Sequence, residues 1–238
     1  MKTRGELKQE ARDLLAGNWG KAIGLNILPI LSILFVGLVS TVVLGAVVWL
    51  FNSNGMDSGS ITETVNNNSS SNSSDIIITL ISSFIAVGIS YTTLDWLRTK
   101  DADFSVGRGM FSVFSREYFV PVLVLYILLA IFTFLWTLLL VIPGIIKGYA
   151  YSQTYYIYKD INAQEKNTSL RYTDYITLSR ELMNGHKFEY FVLQLSFIGW
   201  WILVALTAGI ASFWVLPYYQ TTMTAYYKDL AGDKFLNY

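Results

Sequence analysis

The sequence predicts an all-α integral membrane protein with six transmembrane helices, arranged as three hairpins that are each preceded by a cytoplasmic amphipathic helix. Three observations predict this fold class. Of the 238 residues, 53% are hydrophobic and only 14% are charged, against about 25% charged residues in typical soluble domains. Long uncharged blocks alternate with polar segments along the chain. An amphipathic pattern recurs in the polar segments.

The membrane spans follow from four uncharged blocks. A helix needs about 20 residues to cross roughly 30 Å of hydrocarbon, and the blocks that approach or exceed this length are 22–51, 76–94, 118–146 and 190–227. The third block resumes beyond Lys147. The last two blocks contain turn signals at Pro143-Gly144 and near Thr207-Ala208-Gly209. Dividing the chain at these turns gives six spans.

The distribution of lysine and arginine favours six spans over four. With six spans and cytoplasmic N- and C-terminal segments, every basic residue except Lys147 lies in a cytoplasmic segment, namely 1–21, 97–117, 159–187 or 228–238. Four spans would place residues 147–189 outside, against the usual enrichment of Lys and Arg on the cytoplasmic side. The fourth span, 145–159, is short, so its backbone requires burial in the bundle or a shallow hairpin.

Two polar stretches complete the organisation. The polar residues 1–21 precede a first block that is longer than the roughly 7–15-residue apolar core of a signal peptide, so we expect an uncleaved span. The loop 52–75 is dominated by Ser, Asn and Gly, which predicts a flexible outer loop. Residues 1–238 therefore form one polytopic membrane domain with units of roughly 1–97, 98–159 and 160–238.

A six-residue motif repeats and marks two of the amphipathic helices. Arg12-Asp13-Leu14-Leu15-Ala16-Gly17 returns 168 residues later as Arg180-Glu181-Leu182-Met183-Asn184-Gly185. Helical spacing places one apolar face on each copy, formed by Leu7, Ala11, Leu14 and Leu15 in the first and by Tyr175, Ser179, Leu182 and Met183 in the second. A third amphipathic stretch, 104–116, carries Phe104, Met110, Phe111 and Phe114.

Local signals define the ends of the repeated helices. Thr3 and Glu6 have the spacing of a capping box, and Gly17 and Gly185 stand where left-handed C-terminal caps are expected. The segments after the two turn signals also correspond. Tyr151-Ser152-Gln153-Thr154, followed by Lys159-Asp160, matches Tyr218-Tyr219-Gln220-Thr221, followed by Lys228-Asp229.

Several longer motifs carry a family resemblance, among them Gly17-Asn18-Trp19, Ile142-Pro143-Gly144-Ile145-Ile146-Lys147, Ser179-Arg180-Glu181-Leu182-Met183 and Leu193-Gln194-Leu195-Ser196-Phe197-Ile198-Gly199-Trp200. These segments resemble the bacterial membrane-protein family known as domain of unknown function 975. The resemblance covers nearly the whole chain except loop 52–75. It implies an integral protein of the cytoplasmic membrane of a Gram-positive bacterium, and it implies no activity.

Lys147 and the polar residues of spans four and six are the candidate ligand-binding residues. A charge in or near the bilayer is costly and points to function, although a lysine can also extend its charge to the headgroups. The polar residues equally fit hydrogen bonds between helices and an aromatic belt. The hypothesis of a groove between spans four and six assigns ligand contacts to Lys147, Tyr151, Gln153, Thr154, Tyr218, Gln220 and Thr221.

Basic residues of the amphipathic helices, together with the aromatic Trp19, are candidates for membrane-surface contact. Each basic residue near an anionic surface contributes about 1 kcal/mol, and the candidates are Arg4, Lys8, Arg12, Trp19, Arg180 and Lys187. The alternative is that these helices brace the entry of the spans into the bilayer.

The leading hypothesis is a non-enzymatic multi-pass membrane protein that binds or translocates a lipid or small amphiphile. The alternative is a membrane scaffold, immunity or peptide-receptor protein that acts through a protein partner, and a homo-oligomer is also open. The chain has no cysteine, one histidine and no recognisable catalytic motif, so we expect no catalytic residue, metal or cofactor. The zero net charge argues against nucleic-acid binding.

Overall fold

The computed structural model describes residues 1–54, 73–163 and 170–236, and every regular element in these ranges is helical. A single 3-10 turn lies at Ser112–Phe114. The α-helices are α1 (Arg4–Leu15), α2 (Trp19–Leu25), α3 (Ile27–Asn54), α4 (Ser73–Thr99), α5 (Val106–Met110), α6 (Phe119–Leu139), α7 (Val141–Tyr151), α8 (Thr154–Asn162), α9 (Tyr172–Leu182), α10 (Lys187–Leu195), α11 (Ile198–Leu206) and α12 (Ser212–Ala231).

Four segments are long and apolar enough to cross a membrane, namely Ile27–Val47, Ile78–Thr99, Phe119–Leu139 and Lys187–Leu206. Apolar side chains on these segments face outward, and Phe35, Leu138 and Leu206 expose 69%, 73% and 79% of their surface. An apolar surface of this extent, on helices of this length, is typical of a protein that lies in a membrane. Among the described helices, those covering the expected fourth and sixth spans do not meet the same criterion.

Both ends of the predicted outer loop 52–75 are helical, because α3 continues to Asn54 and α4 begins at Ser73. The remainder of that loop lies outside the described residues. Helix α3 packs chiefly against α12 and against the turn at Ala208 and Gly209 that precedes α12. At this contact a Cβ on Gly37 would lie 2.6 Å from the carbonyl oxygen of Ala208, so α3 passes very close to the turn.

The turn between α6 and α7 lies at Leu140, three residues before the predicted tip at Pro143-Gly144. Leu140 has an extended backbone, with φ −160° and ψ 140°. Pro143 instead occupies the first turn of α7, where a residue without an N–H group leaves no hydrogen bond unmade. Gly144 allows α7 to cross α6 closely, because a Cβ there would collide with Thr137.

The predicted break near Thr207-Ala208-Gly209 is confirmed. Helix α11 ends at Leu206, and Ala208 and Gly209 both have positive φ, +49° and +93°. The chain reverses here into α12, which contains Pro217 and continues to Ala231.

The repeated amphipathic helices are confirmed in their caps and in their buried faces. The Thr3 hydroxyl accepts a hydrogen bond from the Glu6 N–H, and the Glu6 carboxylate accepts one from the Thr3 N–H. In the second copy the Asp174 carboxylate accepts from the Arg171 N–H at 2.8 Å. The left-handed glycines are both present, with φ +77° and +83°, and every residue predicted for the two apolar faces is buried.

Each amphipathic element packs against one or two of the helices α4, α7, α8 and α12. The chain after α4 folds back so that α5 packs on α4, α9 packs on α7 and α8, and α1 packs on α12. The first and last helices of the chain therefore close the arrangement. The third amphipathic stretch, 104–116, is not one helix: α5 ends at Met110, and Phe111 and Phe114 are exposed. Gly107 and Gly109 disfavour a longer helix here.

Candidate functional site

A groove on the surface carries three basic residues from three different helices. Lys147 comes from α7, Arg180 from α9 and Lys187 from α10, and all three line one cavity of about 300 Å³ with Thr177, Glu181 and Asn184. Lys147, Thr177 and Arg180 also line an adjoining cavity of about 250 Å³, so the two cavities form a continuous groove. We call this surface the basic groove.

The three cations of the basic groove outnumber Glu181, the one acidic residue that lines the same cavity. Within residues 1–54, 73–163 and 170–236, none of them forms a salt bridge or a side-chain hydrogen bond. The positive charges of Arg180 and Lys187 instead repel the positive charge on Lys147. By contrast, hydrogen bonds to protein acceptors are made by Lys2, Lys8, Arg12, Lys21, Arg98, Lys159 and Lys228.

The other end of the basic groove is aromatic and apolar. It is lined by Phe132, Trp136, Tyr151 and Ile176, and the Lys147 ammonium lies 4.4 Å from the centroid of the Trp136 ring. A cation over an aromatic face is held there by the ring quadrupole. Neighbours in the sequence of the groove residues Trp136 and Lys147 are apolar and exposed, among them Leu135, Leu138, Leu139, Ile142 and Ile146. Positive charge at one end and apolar surface at the other are complementary to an anionic amphiphile.

The predicted ligand residues do not form one site. Of the seven, only Lys147 and Tyr151 line the basic groove. Gln153 and Thr154 lie buried at the break between α7 and α8, where the Gln153 N–H donates to the Ser179 hydroxyl at 3.2 Å. Thr154 donates to the carbonyl of Tyr151. Both residues therefore stabilise the break.

The predicted residues of α12 contact other helices instead. The Tyr218 hydroxyl accepts a hydrogen bond from Arg12 of α1 at 3.1 Å, and Gln220 donates to the Ser90 hydroxyl of α4 at 2.5 Å. Thr221 is buried. The prediction of a groove shared between spans four and six is thus replaced by a groove whose partner helix is α9. Lys147 lies beside Arg180 and Lys187, not on a separate outer face.

The residues predicted to contact the membrane surface divide into two groups. Lys8 donates to the Ser196 carbonyl and lies 4.4 Å from the Phe197 ring centroid. Arg12 is exposed and donates to the Tyr218 hydroxyl. Trp19 is partly buried against the apolar core, and Arg4 is exposed. Arg180 and Lys187 belong to the basic groove. Contact of these residues with the membrane surface stays a prediction, and Lys8 and Arg12 in addition make contacts within the protein.

An ionic cluster that was not predicted from the sequence lies near the C-terminal ends of α4, α8 and α12. Arg98 of α4 binds Asp160 of α8 through two hydrogen bonds of 2.6 and 2.7 Å, and the Tyr227 hydroxyl of α12 donates to the same carboxylate at 2.6 Å. Lys159 pairs with Asp95 and donates to the Tyr91 carbonyl at 2.6 Å. The recurrence of Lys-Asp at 159–160 and 228–229 was the available signal. Sequence alone places both pairs in the cytoplasmic segments 159–187 and 228–238 and does not predict their partners.

A second set of charges fastens α1 to α12. The Glu10 carboxylate binds Lys2 at 2.7 Å and Lys228 at 2.9 Å. Partial burial opposes ionisation of Glu10, but the hydrogen bonds and charges of Lys2 and Lys228 outweigh it and lower its pKa to about 2. Glu10 is therefore ionised at every physiological pH.

The exposed apolar helices and the cationic groove define the class: an α-helical polytopic membrane protein. The chain belongs to the family described as "Protein of unknown function (DUF975)", whose model matches residues 1–147 and 137–234. This match confirms the resemblance seen in the sequence. No curated protein and no solved structure matches the chain. In the described part of the chain, no group of three His, Cys, Asp or Glu side chains is arranged to hold a metal ion.

Proposed function

We propose that this protein is a non-enzymatic, multi-pass protein of the bacterial cytoplasmic membrane that binds an anionic lipid or amphiphile in the basic groove. The observation that carries the proposal is the convergence of Lys147, Arg180 and Lys187 in one cavity that Glu181 also lines, with no salt bridge to any of the three cations in the described residues. Clustered cations repel one another, so a bound anion would relieve that repulsion. The aromatic end of the groove would hold the first part of the apolar chain.

The geometry of the groove also supports a lipid over a fully soluble anion. The cavity around Trp136 and Phe132 is lined by residues of α6 and α7, and both helices also carry exposed apolar side chains such as Leu138 and Ile142. A soluble anion would leave this surface unused, whereas an acyl or prenyl chain would cover it. The groove thus suits a ligand taken from the membrane, and binding is also the first step that translocation would require.

The proposed topology keeps the basic residues on the cytoplasmic side. Lys147 was the one basic residue that the sequence placed outside, and it shares its cavity with Arg180 and Lys187. Helix α7, with 11 residues, extends only about 16 Å, which favours a shallow α6–α7 hairpin over a complete fourth span. We therefore propose cytoplasmic N- and C-terminal segments and a groove that opens beside the α6–α7 hairpin.

Tryptophan quenching tests the proposal directly. The full chain is reconstituted in phosphatidylcholine nanodiscs that contain a minor fraction of phosphatidylglycerol with brominated acyl chains, which quench nearby indole rings. We expect quenching of Trp136, identified as the component that Trp136→Phe removes. The triple variant Lys147→Gln/Arg180→Gln/Lys187→Gln should lose roughly 3 kcal/mol of lipid binding, at about 1 kcal/mol for each cation, or on the order of a hundredfold in affinity.

The matched control removes three exposed basic residues elsewhere, Arg108→Gln/Arg116→Gln/Lys234→Gln, so that the net charge changes equally. The control should keep the quenching. Equal quenching in both triple variants would overturn the proposal, as would a stoichiometric protein partner that co-purifies in place of lipid and occupies the groove.

A further inference from the structure

We infer that the basic groove takes a headgroup with a terminal, doubly charged phosphate, such as a lipid phosphomonoester or diphosphate, in preference to a singly charged phosphodiester. This inference rests on the proposed function and names the substrate class of the same site. Its basis is the number, the origin and the charge of the groups that line the polar end of the groove.

The first argument is the charge balance. Lys147, Arg180 and Lys187 contribute three positive charges and Glu181 contributes one negative charge, so the polar end of the groove carries a net charge of two. A singly charged phosphodiester would leave one positive charge uncompensated beside the apolar end. A terminal phosphate carries about −1.5 to −2 near pH 7 and neutralises the groove.

The second argument is the number of donors. A terminal phosphate presents three acceptor oxygens, whereas a phosphodiester presents two that are unesterified. The three cations come from the three helices α7, α9 and α10 and line the same cavity. Arg180 can offer two parallel N–H groups to one phosphate, and the Asn184 amide can supply a neutral donor to a remaining oxygen, whereas the Thr177 hydroxyl already donates to the Thr173 carbonyl.

The third argument comes from the repeat. The residue equivalent to Arg180 in the first copy is Arg12, which is already bound to Tyr218. In the second copy the corresponding tyrosine, Tyr151, lines the groove with Arg180, yet no hydrogen bond joins these two side chains in the described structure. Arg180 therefore keeps its full set of donors for a ligand.

The test compares three ligands with the nanodisc-embedded full chain at pH 7.5: dioleoyl phosphatidate, dioleoyl phosphatidylglycerol and inorganic phosphate. We expect phosphatidate to bind roughly fivefold or more tightly than phosphatidylglycerol, because one further charge interacts with the cations. Arg180→Lys keeps the positive charge but removes the two parallel N–H groups of the guanidinium, so it should reduce the preference for phosphatidate. The control Arg108→Lys should leave the preference unchanged.

The outcomes separate this inference from the proposed function. Equal affinity for the two lipids, with both lost in the Lys147→Gln/Arg180→Gln/Lys187→Gln variant, would overturn the inference and leave the lipid-binding function standing. Lipid binding that does not depend on these cations would overturn both. Displacement of phosphatidate by an equal concentration of inorganic phosphate would support the doubly charged phosphate and overturn the lipid as its source.

Discussion

The two copies of the repeated helix, α1 and α9, pack on corresponding helices but leave different surfaces behind. In the first copy Arg12 donates to the Tyr218 hydroxyl and lies 5.5 Å from its ring centroid. In the second copy the equivalent Arg180 has no such bond in the described structure and lines a cavity with Tyr151. We call the first copy closed, because its arginine is bound to another helix, and the second copy open, because its arginine lines a cavity.

The difference between the copies can be traced to single positions. Glu10, which binds Lys2 and Lys228 in the first copy, is replaced 168 residues later by Leu178, which is buried. The second copy therefore has no carboxylate at the position that neutralises cations in the first. A duplicated element has thus kept its packing face and changed its polar face, which is how one copy can fasten the fold while the other binds a ligand.

The largest loss of stability is expected when the Arg98–Asp160 ion pair is broken, because this pair joins helices that pack near both copies. Asp160→Asn leaves Arg98 without its partner, and the loss of one member of a buried pair costs about 3–5 kcal/mol of unfolding free energy. Unfolding titrations in detergent micelles measure this loss. Asp233→Asn, at an exposed carboxylate, is the control.

The double variant Arg98→Met/Asp160→Leu should recover most of the stability lost in Asp160→Asn, because both charges are then absent. A stability of Asp160→Asn equal to that of Asp233→Asn would contradict the structural role of the cluster.

A smaller effect is expected at the position where the two copies use different small residues. Ser179 accepts from the Gln153 N–H and donates to the Ala150 carbonyl, whereas the equivalent Ala11 is buried among apolar residues. Ser179→Ala orphans a buried N–H group and should lower the unfolding free energy by about 1–3 kcal/mol. Ala11→Gly, which removes a similar volume, is the control for packing alone. An unchanged stability would show that water replaces the hydroxyl.

The closed copy should respond to acid through Glu10. Its pKa of about 2 in the folded protein lies below the usual value near 4.5, so this contribution is complete above pH 4.5 and is lost as the pH falls towards 2. We expect a loss of about 1–2 kcal/mol, since Lys2 and Lys228 are partly exposed and solvent screens them. Glu10→Gln should flatten this part of the stability profile. A profile that is identical with and without Glu10 would refute the assignment.

The smallest expected effect sharpens the comparison most. Arg12→Ala removes a hydrogen bond and a cation–π contact and should cost about 1 kcal/mol of unfolding free energy. Arg180→Ala should change the stability by less than about 0.5 kcal/mol while weakening lipid binding in the quenching assay. The reverse result, with Arg180 stabilising and Arg12 neutral, would exchange the closed and open copies.

The features predicted correctly from the sequence are those determined by neighbouring residues. The capping box at Thr3 and Glu6, the left-handed Gly17 and Gly185 and the break at Gly209 depend on backbone preferences within a few positions. The buried faces of both amphipathic helices follow from helical periodicity. Hydropathy identified the four segments that are apolar enough to span a membrane.

The features that were missed depend on contacts between distant residues. Pro143 is a strong turn signal, yet it is equally compatible with the first turn of a helix, and the structure uses it in that way. The contact of Lys147 with the cavity of Arg180 joins positions 33 residues apart, and the Arg98–Asp160–Tyr227 cluster joins three helices. Charge patterns along the chain indicate the side of the membrane but not such pairings.

The packing of α1 on α12 has a consequence for the order in which the fold is assembled. The apolar stripe of Leu7, Ala11 and Leu15 emerges early in translation, and the surface that covers it is made roughly two hundred residues later. Until then the stripe has only the bilayer interface or a chaperone to shield it. Helix α1 is thus synthesised long before α12 and reaches its final place only after α12 has been made.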